Sequence, residues 1–498
     1  MMQVFDMKAL KLGGSAVLSL LLAQPSLADV TPEDVWQNWQ GIYAEMGGKL
    51  TTTSVDRIGD TLVISGLKNT VDAGLGKNEV ALDELRLRDL GDGTVEVTMS
   101  DELRFSSETP GFEGAKTIGT KGRAKMPDLL GTVSGTPEDM AYALEMPQLD
   151  LLVEPREDGK AIGKLELLLS GCIARYHLAG PADAKQLDGE FKASSAALNL
   201  DGEDANTGLR ASVNAADVSA HMTGNFAGFE EADLADALAK GLAVDMGFGV
   251  GALNYDFDVS GGESARLAGD SQGGDMRIAI DAAKILMAGS GKSVKASFSS
   301  ADLPIPEVGF SYDEGAFNLT MPLAKADGPQ DFTVLTKIVN LQTVEELWAL
   351  FDPMGLLPHD PATLVVDASG QVRLKSDLMA SAKGAAPDGE LHALSINEIT
   401  ARFGGADLTG QGALTFDNDD LTTYSGVPAP TGKLDFKLLG GNAFLDKLVN
   451  MGLIGPDEAM GARLMLAMFA KVGPGADELT SALEFKDKHF FANGQQLQ

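Results

Sequence analysis

The chain reads as a β-rich α+β protein, mainly β: long, curved antiparallel sheets of hairpin-connected strands, capped by a few amphipathic helices. Three observations carry this. Apolar and polar residues alternate with period two from end to end, glycine turn signals punctuate the runs, and the helical segments are few and sharply bounded. Leu85 and Leu87 oppose Glu84, Arg86 and Arg88; after Gly91-Asp92-Gly93 the rhythm resumes with Val95, Val97 and Met99, which is a hairpin pattern. The same alternation recurs at Leu165, Leu167 and Leu169, at Met276, Ile278 and Ile280, at Phe317, Leu319 and Met321, and at Leu434, Phe436 and Leu438. Strands with one apolar face belong to antiparallel sheets with one wet side, and roughly twenty or more are expected.

Turn signals are read at Asp158-Gly159, Asp201-Gly202, Glu314-Gly315, Ser369-Gly370, Asp388-Gly389 and Gly404-Gly405, which account for part of the 58 glycines. Thr31-Pro32-Glu33-Asp34 opens a helix carrying Val35, Trp36, Trp39, Ile42 and Met46. A second helix is expected from Glu230 to Lys240, with Leu234 and Leu238 stacked. Thr343 to Glu346 reads as a capping box for a third, residues 343–352, bearing Trp348 and Phe351 and stopping before Pro353. A helical hairpin, residues 442–472, is capped by Asn442 and turned at Gly455-Pro456. Its stripe of Met460, Leu464 and Met468 is expected to be core, with an adaptable binding face as the alternative.

The first 28 residues have the form of an export signal: Lys8 and Lys11, an apolar run from Ala16 to Ala23, and Ser26-Leu27-Ala28 before Asp29. Met7 is an alternative start. A periplasmic protein cut after Ala28 is expected, with no integral membrane span left, because a retained span needs about 20 apolar residues. Cleavage moves the formal charge from -33 to -34, since it removes Asp6, Lys8 and Lys11. Such acidity argues against nucleic acid and anionic lipid as partners. The remaining 470 of 498 residues exceed a single-domain ceiling of about 250 to 300. Three portions are drawn: residues 29–228, 229–330 and 331–498.

Motifs with chemistry are weighed and mostly set aside. Gly289 to Ser293 has the tail of a phosphate loop but lacks its first glycine, and it runs on as strand. Gly247 to Ala252 fits a dinucleotide fingerprint on paper, yet Leu253 to Val259 continues as strand rather than helix. Asp417, Asp419 and Asp420 invite a calcium reading without the glycine and distant glutamate of the helix-loop-helix site. The single Cys172 reads as a buried, inert thiol. His359 and Asp360, in a proline-bounded loop, are the first candidates if the chain is a hydrolase of unfamiliar geometry. No cofactor is implied.

Asp29 to Trp36, Leu347 to Pro353 with Leu357 to Ala362, and Phe491 to Gln495 resemble an exported alphaproteobacterial family catalogued as domain of unknown function twenty-one twenty-five. The resemblance implies an envelope protein and transfers no catalytic residue. A weaker likeness to AsmA-like envelope proteins rests on strand pattern and helix placement alone. The leading expectation is a non-enzymatic envelope protein whose apolar sheet face either folds on itself or shelters a hydrophobic molecule such as a lipid. Trp36, Trp39, Trp348, Phe351, Met460, Leu464 and Met468 are its candidate packing or ligand residues. An outer-membrane barrel is the remaining alternative, opposed by only 6% aromatic residues and a non-aromatic end.

Overall fold

A computed structural model describes residues 29–45, 48–72, 76–109, 116–180, 184–204, 207–229, 233–262, 264–381 and 388–498. Residues 1–28, which the sequence suggests are an export signal, lie outside the described residues. The chain divides into two units, Met1–Phe226 and Ala227–Gln498.

The first unit is an antiparallel sheet whose strands pair with strands close by in sequence, mostly the next or the next but one. Gly48–Thr51 and Ser54–Ile58 pair in succession with Thr61–Asp72, which pairs with Lys77–Asp89. Val95–Met99 and Glu102–Thr109 together line the next edge, followed by Leu130–Thr136 and Ile118–Lys125. Asp139–Glu157, Gly163–Ala179, Gln186–Asp204 and Thr207–Asn225 complete the ladder. Nineteen-residue strands such as Asp139–Glu157 span roughly 60 Å.

In three of the first unit's strands the alternation slips once. It does so where residues adopt positive φ: Gly66 (60°), Gly171 (59°) and Asp217 (50°). Pairing skips there, as from Ser65↔Glu84 to Leu67↔Leu82. Leu82, Leu85 and Leu87 are therefore all buried, although the first spacing is three. Such irregularities bend and twist a strand.

Helix α1, Pro32–Glu45, covers this face. The Thr31 amide donates to Asp34 (3.0 Å) while the Asp34 amide donates to Thr31 Oγ1 (3.3 Å), a reciprocal cap at the helix start the sequence suggests. Val35 and Trp36 enter a closed core with Ile64, Leu85, Leu87, Val97 and Tyr142. Trp39 stacks on Tyr142 at 6.4 Å, and Tyr142 on Tyr176 at 4.5 Å.

The second unit repeats the meander. Ala243–Val250 pairs with Gly274–Ile280 and Leu253–Gly261 with Ala265–Ser271; both meet Lys284–Ser300. Val308–Pro322, Gln330–Thr343, Ala362–Leu374, Gly389–Phe403, Ala406–Asp417, Ala429–Leu439 and Glu478–Lys486 follow in order. Residue 330 lies inside this ladder. Helices α2 (Leu234–Ala239), α3 (Glu345–Phe351), α4 (Leu378–Ser381), α5 (Gly441–Asn450) and α6 (Pro456–Phe469) attach to it. No helix among the described residues is long and apolar enough to cross a membrane.

Several local expectations are corrected. Asp201-Gly202, Glu314-Gly315 and Ser369-Gly370 are not turns but lie inside strands. The reason is visible at Gly370: a Cβ there would stand 2.7 Å from the ring of Phe332, its cross-strand partner. Gly122 under Phe105, Gly269 under Tyr255, Gly289 under Phe317 and Gly410 under Phe436 repeat this arrangement. An aromatic ring laid over a glycine shields the backbone that glycine leaves bare. Thr343 ends a strand and donates to the Gly309 carbonyl (2.7 Å) instead of capping α3, whose N-cap is Val344. The helix expected from Glu230 is α2, capped by Asp233, which accepts from the Ala235 amide at 2.8 Å; residues 230–232 lie outside the described residues. The start of α5 is capped by Asp477, which accepts from the Ala443 amide (2.9 Å) and Asn442 Nδ2 (2.8 Å), so Asn442 is a donor there and not the cap.

Candidate functional site: an apolar track and its cavity

Register decides which residues share a face, because directly paired residues in an antiparallel sheet point the same way. In the second unit Phe248, Met276, Gly289 and Phe317 are successive partners. That line continues through Thr336, Val366, Ile399, Gly410 and Phe436. A parallel line runs from Gly315 through Ile338, Leu364, Ala401, Leu408 and Leu438 to Leu479. Ten strands at about 4.8 Å spacing make this face roughly 40 Å wide across the strands. The opposite face is polar: Arg277 pairs with Asp245 (2.5 Å), Lys337 with Glu314 (2.8 Å) and Lys433 with Asp435 (2.8 Å).

Cover over the apolar face is uneven. At one margin α2 closes a small core of Ala237, Leu238, Leu242 and Leu323 against Val244, Ile280 and Ile285. Beyond it Phe248, Met276 and Phe317 remain 53, 45 and 42% exposed. At the far end α5 and α6 roof the sheet without filling the space beneath. A cavity of about 720 Å³ remains there, walled by Leu364, Ala401, Leu408 and Leu438 below and by Phe444, Leu445, Ala462 and Leu466 above. A second space of about 340 Å³ shares Leu408, Leu438, Met465 and Leu466 and extends to Phe436, Phe469 and Leu483. Volumes of several hundred cubic ångströms and hydrocarbon walls are those of small-molecule sites.

Polar contacts hold the roof at its ends. Asp477 anchors α5; burial pushes its carboxyl up, but the Ala443 and Asn442 donors outweigh this and leave it below the usual range. Arg463 reaches from α6 to Asp446 (2.6 Å) and to the Asn442 carbonyl (3.2 Å). The last carbonyl of α6, on Phe469, accepts from Ser481 Oγ (2.6 Å) and Asn493 Nδ2 (2.9 Å). Between these ties Ala462, Met465 and Leu466 of α6 face the cavity.

The candidates named from sequence fall elsewhere. Trp36 is buried in the first unit's core, and Trp39 packs against it. Trp348 is buried, stacks on His359 (4.2 Å) and contacts Phe351 (4.9 Å) and Phe403 (5.8 Å). Phe403 in turn lines the cavity, while Trp348, Phe351 and His359 do not. His359 and Asp360 do not form a dyad. Nδ1 of His359 lies 2.9 Å from Glu345 and Nε2 lies 3.9 Å from Asp352, while Asp360 is exposed. Asp352 is buried; desolvation raises its carboxyl, yet the Leu357 and Leu356 amides and nearby His359 bring it below the ordinary value. This imidazole packs and tethers.

Asp420 accepts from Thr422, Thr423 and Lys488 (2.7 Å), which pulls its carboxyl well below the usual range, and Asp417 accepts from the Asp419 amide (3.1 Å). These acids form a turn tied to Lys488. Among the described residues no group of three His, Cys, Asp or Glu is placed to hold a metal. Cys172 is buried, and burial pushes its thiol up. Gly247, Gly249 and the Gly289 to Ser293 segment lie on strands.

Met460, Leu464 and Met468 point outward at 67, 67 and 54% exposure, against the expectation of core. The neighbouring stripe of Ala459, Ala462, Leu466 and Phe469 faces inward. Because α6 is apolar around most of its circumference, periodicity alone does not select the buried side; the small Ala459, fully buried, marks it.

The fold and cavity define a β-meander protein with an apolar pocket under a helical roof. Residues 260–492, which carry most of this face and the whole roof, match the family model described as an uncharacterized protein conserved in bacteria (DUF2125), the family the sequence resembles. Asp29 to Trp36, quoted for the same resemblance, lies outside the match, and the AsmA-like likeness gains no support. No curated protein and no solved structure matches the chain.

Proposed function

We propose that the protein is an exported, non-catalytic binder of an extended apolar ligand, such as an acyl chain, held in the second unit between the sheet and the α5–α6 roof. The observation that carries this reading is the 720 Å³ cavity, whose walls are almost entirely hydrocarbon. Such walls suit a ligand that offers methylenes, each contributing about 0.8 kcal/mol when buried. The export part of the reading rests on residues 1–28 and on the acidic, cation-poor composition.

Delipidated protein titrated with a polarity-sensitive fluorescent fatty acid is expected to bind one or two molecules per chain. Ala462→Trp, which fills the cavity, is expected to abolish binding while the circular dichroism spectrum stays unchanged. Equal binding by the filled variant contradicts the site; absence of binding to wild type contradicts the function. Envelope fractionation with N-terminal sequencing checks export, with Asp29 as the expected first residue.

A further inference from the structure

We infer that the outward face of α6 docks on an uncharged lipid surface, the source from which the cavity is filled; this rests on the ligand-binding reading above. Met460, Leu464 and Met468 recur at every fourth position and so form one stripe along the helix. More than half of each is exposed, and Leu453 before the helix and Val472 after it are exposed as well. Such a patch on a soluble surface marks a contact with something apolar. Met465 belongs to both sides: it lines both cavities and is itself largely exposed. The outward stripe is thus continuous with the cavity wall.

Charge selects the occupant. Over the whole chain acids outnumber bases by 33, but residues 451–475 hold only Asp457, Glu458, Arg463 and Lys471 and are balanced. The Arg463 guanidinium is turned to Asp446. A second copy of this chain would set a second whole-chain excess of 33 acids beside the first, and an anionic bilayer would be repelled by the rest of the molecule. A zwitterionic lipid surface meets neither penalty, and its interface accepts the apolar face of a surface-lying helix.

The test is flotation of the full chain with vesicles of phosphatidylcholine alone or with added phosphatidylglycerol. Wild type is expected to float with the neutral vesicles, independently of salt, and less well with the anionic ones. Leu464→Glu is expected to lower partition by about tenfold or more, the loss of one inserted large side chain. The same variant is expected to bind the fluorescent fatty acid in detergent-free solution as wild type does, with an unchanged unfolding transition. Wild-type partition by Leu464→Glu overturns the inference. So does a dimer that Leu464→Glu dissociates, in a protein that ignores vesicles. If vesicles bind but neither protein takes up the fatty acid, the cavity reading fails and the docking face stands.

Discussion

The two units use the same strand grammar and finish their apolar faces differently. In the first, α1 drives Val35 and Trp36 into a core where Ile64, Leu85, Leu87 and Val95 have no measurable exposure. In the second, the apolar face meets α2 at one margin and α5–α6 at the other, leaving Phe248, Met276 and Phe317 open and a cavity beneath α5–α6. Alternation therefore sets which face is apolar, while the helices decide whether that face becomes a core or a site.

The largest expected effect breaks the comparison at its covered side. Leu85→Ala is expected to cost about 2–5 kcal/mol in urea unfolding, as buried leucines do, whereas Phe248→Ala in the open row costs about 1 kcal/mol or less. Equal costs would mean that the second face is covered after all.

Next is the ring-over-glycine pairing that both units share. A Cβ on Gly410 would stand 2.4 Å from the ring of Phe436. Gly410→Val is expected to cost about 1–3 kcal/mol by overpacking and to weaken fatty acid binding, because Phe436 lines the second cavity. Gly461, within α6, has open space around its Cβ position, so Gly461→Ala is expected to stabilise by about 0.5–1 kcal/mol without touching the site. Thermal unfolding with the probe titration reads both.

A smaller effect sharpens how the roof is held. Asp477→Ala removes the cap on α5 and is expected to cost about 0.5–2 kcal/mol at neutral pH. Because its folded carboxyl lies below the ordinary 3.8, the wild-type advantage is complete above that pH and disappears as pH falls through the lower folded value. A gap between wild type and variant that persists in strong acid would contradict this role.

The smallest effect concerns the first unit's closed core. Burial pushes the Tyr142 phenol from 10.0 up to about 12, and a hydrogen bond only partly offsets it. Its contribution to stability is complete below 10.0 and is lost as pH rises through about 12. Ultraviolet titration is expected to show Tyr142 and Tyr176 ionising above the ordinary tyrosine value of 10.0; ionisation of both at 10.0 would place water in this core.

Much of this was legible from residues alone. The rhythm of Leu85 to Met99 reads directly as a hairpin, Thr31 to Asp34 as a helix start and Gly455-Pro456 as the turn into α6. What escaped the reading depends on partners distant in sequence. Gly370 looks like a turn until Phe332, 38 positions earlier, is seen to lie over it. Asn442 looks like a cap until Asp477 arrives from beyond α6. The slips at Gly66, Gly171 and Asp217 appear in sequence only as a three-residue spacing such as Leu82 to Leu85. The cavity residues were within reach as the Ala462, Leu466 and Phe469 stripe, but the competing stripe of Met460, Leu464 and Met468 has larger side chains and equal periodicity.

The most direct measurement is a crystal structure of the full chain soaked with a brominated fatty acid. The account predicts anomalous bromine peaks between Leu408 and Leu438 on the sheet and Leu466 on α6, with the strands unmoved. Helix α6 collapsed onto those leucines, with no bromine beneath it, would show that the apolar face closes on itself and that the cavity is not a binding site.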